Sequence, residues 1–242
     1  MTTDCNRCPL RKLPAFVEFN RNDLSFMQKF KSGELTIDPK TPLLMEGSNS
    51  PQLFTSLRGM GLRYKTLEDG QRQVINFVFP GDFIGMQAAV MGEMCHSVEA
   101  TTSMTLCVFN RSEFWNFFKE NPERAFDLTW LSAVEEHFLG EALTSIGQRT
   151  AMQAMSWAFV RIFLRGQSLG MVENAVMPLP YKQQDIADAL GLSLVHTNKT
   201  LAKLRDLQLA SWSDGVLQIN DLEALAEIAH TSSDPLPERP LI

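Results

Sequence analysis

Leu179 to Leu207 is the stretch that most narrows what this chain can fold into. It reads Leu-Pro-Tyr-Lys-Gln-Gln-Asp-Ile-Ala-Asp-Ala-Leu-Gly-Leu-Ser-Leu-Val-His-Thr-Asn-Lys-Thr-Leu-Ala-Lys-Leu-Arg-Asp-Leu. Ile186, Ala187 and Leu190 fall on one face of a short helix over 182–190. Gly191 permits a tight turn after it, because glycine adopts left-handed backbone angles without steric cost. Ser193 is the N-cap of a second helix over about 194–206. Its inner face is Thr197, Leu201 and Leu204; its outer face is Val195, Asn198, Lys199 and Ala202, flanked by Leu194, His196 and Lys203. Small residues in the first helix, glycine at the turn, a capping serine and a basic exposed face follow helix-turn-helix grammar, in which the second helix enters the major groove of double-stranded DNA. An ordinary helical hairpin with a solvated charged face would share the apolar spacing, and the next segment argues against it. In Leu209-Ala-Ser-Trp-Ser-Asp-Gly-Val-Leu-Gln-Ile219, Asp214-Gly215 is a two-residue hairpin signal between short strands, which places a wing directly after the second helix. Asn220 and Asp221 then open a last short helix.

The chain as a whole is acidic, with 22 Lys and Arg against 28 Asp and Glu and a net charge of −6. A DNA site must therefore be a local patch, since binding follows the potential at the contact face rather than the total charge. Residues 194–205 supply such a patch: Lys199, Lys203 and Arg205, with no acid. The candidate DNA-contacting residues are Lys182, Gln184, Ser193, Leu194, Val195, His196, Asn198, Lys199 and Lys203. Lys199 can donate to guanine, Asn198 can read adenine and Val195 can meet a thymine methyl, while Ser193, His196 and Lys203 suit phosphates.

Upstream the pattern changes twice. Leu24, Met27 and Phe30 predict a helix over 23–31, with Asp23 as N-cap and Gly33 as a stop. From about 35 to 110, short apolar runs alternate with turn signals such as Glu68-Asp-Gly70 and Pro80-Gly-Asp82, which suggests a β-roll or sandwich. A short helix over 112–119 follows. Asn121-Pro122-Glu123 then gives three agreeing start signals for a long helix over about 122–146. Leu131, Val134, Phe138, Ala142 and Ile146 form a seam along it that either packs on the β domain or pairs with a second copy. A further helix is expected over about 149–165. The resulting plan is α+β: a Cys-x-x-Cys lead at 1–20, a β-roll at 21–120, a dimerisation helix at 121–147, a winged-helix domain at 148–231, and a loose tail at 232–242 holding three prolines. No apolar run approaches the ~18 residues of a membrane span, and the N-terminus lacks a signal-peptide core, so a cytoplasmic protein is expected.

Arg58-Gly-Met-Gly-Leu-Arg-Tyr64, Phe79-Pro-Gly-Asp-Phe-Ile-Gly85 and the winged helix at 181–219, joined by one long helix, resemble the Crp/Fnr family of bacterial transcription regulators over residues 15–230. The resemblance implies a cyclic-nucleotide-binding-type β-roll, a dimerisation helix and a homodimer acting on palindromic DNA, with RNA polymerase a further partner of an activator. The Arg-Glu pair of many relatives is replaced by Leu194 and Val195, so their consensus operator is not carried over. In cyclic-AMP-binding relatives a glutamate follows Phe-Ile-Gly, and a later Arg-Ser pair grips the phosphate. Here those positions read Met86 and His96-Ser97, which removes the charged fork. Gly85, Met86, His96 and Ser97 are the effector-pocket candidates, and cyclic AMP is not the expected effector.

Oxygen-sensing relatives hold an iron–sulfur cluster with Cys-x2-Cys-x5-Cys and one β-roll cysteine. Cys5 and Cys8 match the first pair, Pro14 stands where the third would fall, and Cys107 lies near the fourth; Cys95 would have to replace the missing ligand. Cys5 and Cys8 are therefore candidates for an iron–sulfur cluster, another metal or thiol chemistry, with Cys95 and Cys107 behind them. Regulation is expected to be ligand-independent, or redox- or metal-responsive. The chain shows no phosphate loop, nucleophile elbow or zinc-protease helix, so it is not expected to be an enzyme. The competing reading is a ligand- or metal-binding sensor module whose main output is not DNA binding.

Overall fold

The computed structural model describes residues 2–242, so Met1 of the lead lies outside the described residues. The chain forms two compact units. One runs up to Glu135 and takes back Glu238–Ile242; the other spans Glu136–Pro237.

In the first unit the lead is folded, with short 3-10 turns at Cys5–Arg7 and Leu10–Lys12 and with Ala15 and Phe16 buried. Helix α1 is Arg21–Phe30, and its cap corrects the expected one. Asn20 accepts from the N–H groups of Asn22 and Asp23, while the Asp23 carboxylate returns to the Asn20 N–H. This reciprocal arrangement satisfies more orphan donors than Asp23 alone could as N-cap. Gly33 is not the stop. The helix passes at Phe30 into strand β1 (Lys31–Ile37), and Gly33 sits at a register shift in its pairing with a later strand.

Strands β2 (Pro42–Leu44), β3 (Gln52–Arg58), β4 (Gly61–Thr66), β5 (Arg72–Val78) and β6 (Phe83–Ile84) follow, then helix α2 (Met86–Met91) and strands β7 (Ser97–Ala100) and β8 (Met104–Asn110). They form two antiparallel four-stranded sheets, ordered β1-β8-β3-β6 and β2-β7-β4-β5. Leu44, Phe54, Val78, Ile84, Val98 and Leu106 fill one core cluster. Met27, Phe30, Phe109, Phe117, Leu128 and Leu131 belong to a second. There Phe30 stacks on Phe109 at 4.8 Å and meets Phe117 edge-on at 4.5 Å. The helix expected over 112–119 is broken into a 3-10 turn, Arg111–Glu113, and helix α3 (Asn116–Glu120). Phe114 and Phe117 are both buried, and a three-residue turn eclipses side chains at that spacing.

Helix α4, Pro122–Gln148, contains 27 residues. Asn121 accepts from the Arg124 N–H at 3.2 Å, as its capping role requires. The final segment corrects the expectation of a loose tail. Leu241 and Ile242 are each 4 % exposed, and Arg239 bridges to Phe16 in parallel pairing. Apolar side chains and a single backbone bridge anchor this proline-containing segment without regular structure.

The second unit carries α5 (Ala151–Ser168), capped by Thr150, and strand β9 (Val176–Pro178). Next come α6 (Gln183–Leu190), α7 (Leu194–Asp206), β10 (Ala210–Ser213), β11 (Val216–Ile219) and α8 (Leu222–Ala229), the last capped by Asp221. Strand β9 completes a three-stranded sheet ordered β10-β11-β9. Met155, Phe159, Ile162 and Phe163 of α5 are buried, as their helical spacing demands. Among the described residues no helix is long and apolar enough to cross a membrane.

Candidate nucleic-acid interface

The α6–α7 turn is set by Gly191, with φ +65°. The N–H groups of Gly191 and Leu192 both return to the Ala187 carbonyl, the latter at 3.0 Å. A Cβ at position 191 would lie 3.3 Å from the Ile146 side chain, which would have to give by a few tenths of an ångström, so conformation is the main reason for glycine here. Ser193 then starts α7 by accepting from the His196 N–H at 3.2 Å. Thr197, Thr200 and Leu204 are buried, and Leu201 is half-buried. They face the same core as Ile186, Ala187 and Leu190 of α6, which are also buried.

That packing leaves the opposite face of α7 bare. Val195 is 65 % exposed and Leu194 40 % exposed, while His196, Asn198, Lys199 and Lys203 are exposed as well. The side chains of Asn198, Lys199 and Lys203 are in no hydrogen bond or ion pair with the described residues, which leaves all their donors available. Arg205 lies 3.7 Å from Asp206 in an exposed pair, which offsets its charge locally. Lys182 and Gln184 are exposed at the start of α6, with Gln184 bonded to Asp188 at 2.6 Å. Asp214 and Gly215 both take positive φ, 53° and 74°, as a tight hairpin turn between β10 and β11 requires. Trp212 of this wing donates to the Leu179 carbonyl at 3.1 Å and meets Phe159 edge-on at 6.2 Å, which fixes the wing to α5.

The α4 seam divides on inspection. Leu131 is buried in the core of the first unit, and Phe138 stacks on Trp157 of α5 at 5.9 Å. Ile146 lies beside Gly191 but is 44 % exposed, Ala142 is half-buried, and Val134 is 40 % exposed. Leu131 is thus buried within the chain, a correction to its expected place at a dimer seam, while Phe138 packs on Trp157 and stays half-buried. The apolar surface left uncovered on α4 includes Phe126, 68 % exposed, and Leu143, 71 % exposed. Ala133, Gly140 and Gly147 follow Phe126 at successive heptad positions, and nothing lies within 4 Å of a Cβ built on either glycine.

In the effector region Gly85 takes φ +102° at the start of α2. Met86 is half-buried against the core and receives a contact from the Ser132 hydroxyl at 3.0 Å. The Ser97 hydroxyl accepts from the Glu46 N–H at 3.0 Å. His96 is held neutral: burial, and secondarily the Arg63 guanidinium, push its pKa down to about 4. Arg63 stands in the Arg58–Tyr64 motif but not among the effector-pocket candidates, and its charge reaches this region from the adjacent strand β4. Its guanidinium is already committed, lying 3.4 Å from Glu135 and donating to the Phe83 carbonyl at 3.0 Å. Asn76 holds the same Glu135 oxygen at 3.0 Å. The depressed His96 pKa gives a signed prediction. The group contributes stability fully above pH 6.5 and loses it as pH falls towards 4, an effect on the order of 2 kcal/mol. Urea unfolding should show a smaller loss between pH 7 and pH 4.5 in His96→Asn than in the wild type. Equal losses would contradict the burial account.

The cysteines divide three to one. Cys5, Cys8 and Cys107 line one small cavity with Arg11, Lys31 and apolar neighbours. Cys5 and Cys8 are half-buried rather than freely exposed on the lead. Cys95 is not among the lining residues; its N–H bonds to Gln87 on α2. Cys95 is thus not brought to the cavity where a replacement ligand would stand with the other three. The Lys31 ammonium sits beside this group, 2.7 Å from Glu34 and 2.7 Å from the Thr3 carbonyl. Burial, the largest single influence, works against its charge, but the Glu34 hydrogen bond together with the charges around it raises the lysine pKa. Burial also raises Cys5 and pushes Cys107 up to about 11, so both are thiols at neutral pH. Three thiols around an ammonium do not fit a cluster that needs four thiolates. Among the described residues no group of three or more His, Cys, Asp or Glu side chains is placed to hold a metal ion.

Residues 34–121 match the cyclic nucleotide-binding domain, and residues 159–228 match the Crp-like helix-turn-helix domain. The chain is 30 % identical over 180 residues to the nitrogen fixation regulation protein FixK of Bradyrhizobium diazoefficiens, covering 72 % of this chain and 70 % of the relative. It is 31 % identical over 179 residues to the transcriptional activatory protein AadR of Rhodopseudomonas palustris, covering 74 % of each. The structure of FixK2 from Bradyrhizobium japonicum superposes with a TM-score of 0.71 at 22 % identity, over 82 % of this chain and 98 % of that one, and shares its fold. A β-roll followed by a long helix and a winged helix defines the class of effector-domain transcription regulators. The chain belongs to the Crp/Fnr family and is a transcription regulator with a helix-turn-helix DNA-binding domain. These relatives are regulators rather than enzymes.

Proposed function

We propose that the protein acts as a homodimer on a palindromic operator, reads base edges through Val195, Asn198 and Lys199, and binds without cyclic AMP or an iron–sulfur cluster. The observation that carries this reading is the bare outer face of α7, where Asn198 and Lys199 make no side-chain hydrogen bond or ion pair among the described residues. Ser193, His196 and Lys203, with Lys182 and Gln184, border that face and suit phosphate contacts. The dimer forms along α4 through the strip of Phe126, Ala133, Gly140, Leu143 and Gly147. Small residues one heptad apart let a second helix approach closely, and two-fold symmetry sets two recognition helices about 34 Å apart. The R. palustris relative is named an activatory protein, and RNA polymerase is a further partner if this chain is likewise an activator.

A cyclic phosphate would have to displace Glu135 from Arg63 and would meet a neutral His96. Removing an ion's charged partner typically costs several kcal/mol, which moves micromolar binding to millimolar. The protonated thiols at Cys5 and Cys107 likewise weigh against rapid thiolate chemistry. Fluorescence anisotropy with a palindromic duplex tests the whole reading. Equal affinity is expected with and without cyclic AMP at about 10 μM, and equally under air and under reductant. A matching rise in DNA affinity with cyclic AMP, or a redox-dependent one, would overturn the ligand-independent part.

A further inference from the structure

We propose that the first unit contains a peptide-docking groove, that its occupant is the chain's own Arg239-Pro-Leu-Ile242 segment, and that occupancy covers one wall of the thiol-lined cavity. The chain leaves this unit at Glu135 and comes back at Glu238, so the segment is the only part after α4 that belongs to it. Four kinds of contact hold it. Its backbone pairs with the lead: the Arg239 N–H donates to the Ala15 carbonyl at 2.9 Å, and the Val17 N–H donates to the Arg239 carbonyl at 3.0 Å. The Arg239 guanidinium lies 3.1 Å from the buried Asp82 carboxylate, in the Pro-Gly-Asp turn.

Arg124, at the start of α4, donates to the Leu241 carbonyl at 2.9 Å. It is itself fixed by Asp23 at 3.3 Å and Asp127 at 3.0 Å, and it lies over the Phe19 ring at 4.1 Å. The Thr55 hydroxyl donates to the Ile242 carbonyl. The Ile242 side chain joins the core cluster of Met27, Phe30 and Phe109. A charge anchor, backbone pairing, two side-chain donors and an apolar slot are the elements by which extended peptides are recognised. Leu241 and Ile242 also wall the cavity that Cys5, Cys8 and Cys107 line. Cys5, Cys8 and Cys107 are each half-buried with the segment in place, so its local opening exposes them further and raises the rate at which they react.

The test is thiol labelling of the full chain with an aromatic disulfide reagent, read residue by residue. Ile242→Asp should accelerate Cys107, with Cys5 and Cys8, about tenfold while Cys95 keeps its wild-type rate. A synthetic Glu-Arg-Pro-Leu-Ile peptide added to that variant should restore protection in a saturable way. The same peptide with Arg replaced by Ala should do so less well. Unchanged Cys107 labelling, or no protection by peptide, would overturn the proposal. If all four cysteines accelerate together, the variant has unfolded, and the milder Ile242→Ala decides. Selective acceleration of Cys107 there upholds the groove; wild-type rates for all four refute it.

Discussion

Leu143→Glu should convert the protein to a monomer and lower its affinity for a palindromic duplex by about two orders of magnitude or more. Leu143 is 71 % exposed, and the neighbouring Gly140 and Gly147 leave open space above α4. In an isologous two-fold interface each substitution appears twice, so two carboxylates would face each other in an apolar contact. Burying a charge without a partner costs about 3–5 kcal/mol, more than such a contact can offset. Because Leu143 has few neighbours in its own chain, the folded protomer should survive with its melting temperature as a monomer set by the same cores. Light scattering at micromolar concentration gives the mass directly. A wild-type monomer, or a Leu143→Glu dimer, would remove this strip from the account. Phe138 is unsuited to this test, since its stacking on Trp157 would confound dissociation with damage to the second unit.

Lys199→Ala should cost about 1–3 kcal/mol of DNA affinity, about five- to 150-fold, and relax base preference at one position of each half-site. Lys199 lies one turn beyond Val195 on the uncovered face of α7, and its ammonium is engaged with no group among the described residues. Nothing is therefore left unsatisfied in the protein when the side chain is removed, and the loss reports the interface alone. Arg205→Ala is the useful contrast. Arg205 faces Asp206 at 3.7 Å, so its removal should weaken all sequences slightly and equally. Equal effects of the two substitutions on base preference would take Lys199 out of the reading set.

The winged helix was legible because each of its signals is local. Gly191 has to be left-handed, Ser193 has a donor three residues on, and Asp214-Gly215 closes a two-residue turn; none of these depends on distant residues. What depended on distant residues was not legible. The spacing of Leu131, Phe138 and Ile146 defines an apolar face, but a helix flanked by two units has apolar surface on more than one side. Periodicity cannot say which side a second copy would cover. Cys107 joins Cys5 and Cys8 only because β8 lies in the sheet beneath the lead, whereas Cys95 is held on another edge by Gln87. Arg63 was not legible as a pocket residue because it is far in sequence from His96 and joins it only through the pairing of β4 with β7, and its partner Glu135 is 72 residues further along the chain. The final segment read as loose because prolines exclude helix and strand. Composition says nothing of an arginine that finds Asp82 or an isoleucine that fills a slot beside Phe109.

The central claim is that paired α7 helices read DNA, and the most direct measurement is selection of bound duplexes from a random pool by the wild-type protein and by Lys199→Ala. The account predicts two inverted half-sites whose centres lie about one helical turn apart, with preference at one symmetric position weakened by the substitution. A pool without enrichment, a single unrepeated half-site, or a motif that Lys199→Ala leaves unchanged would contradict it.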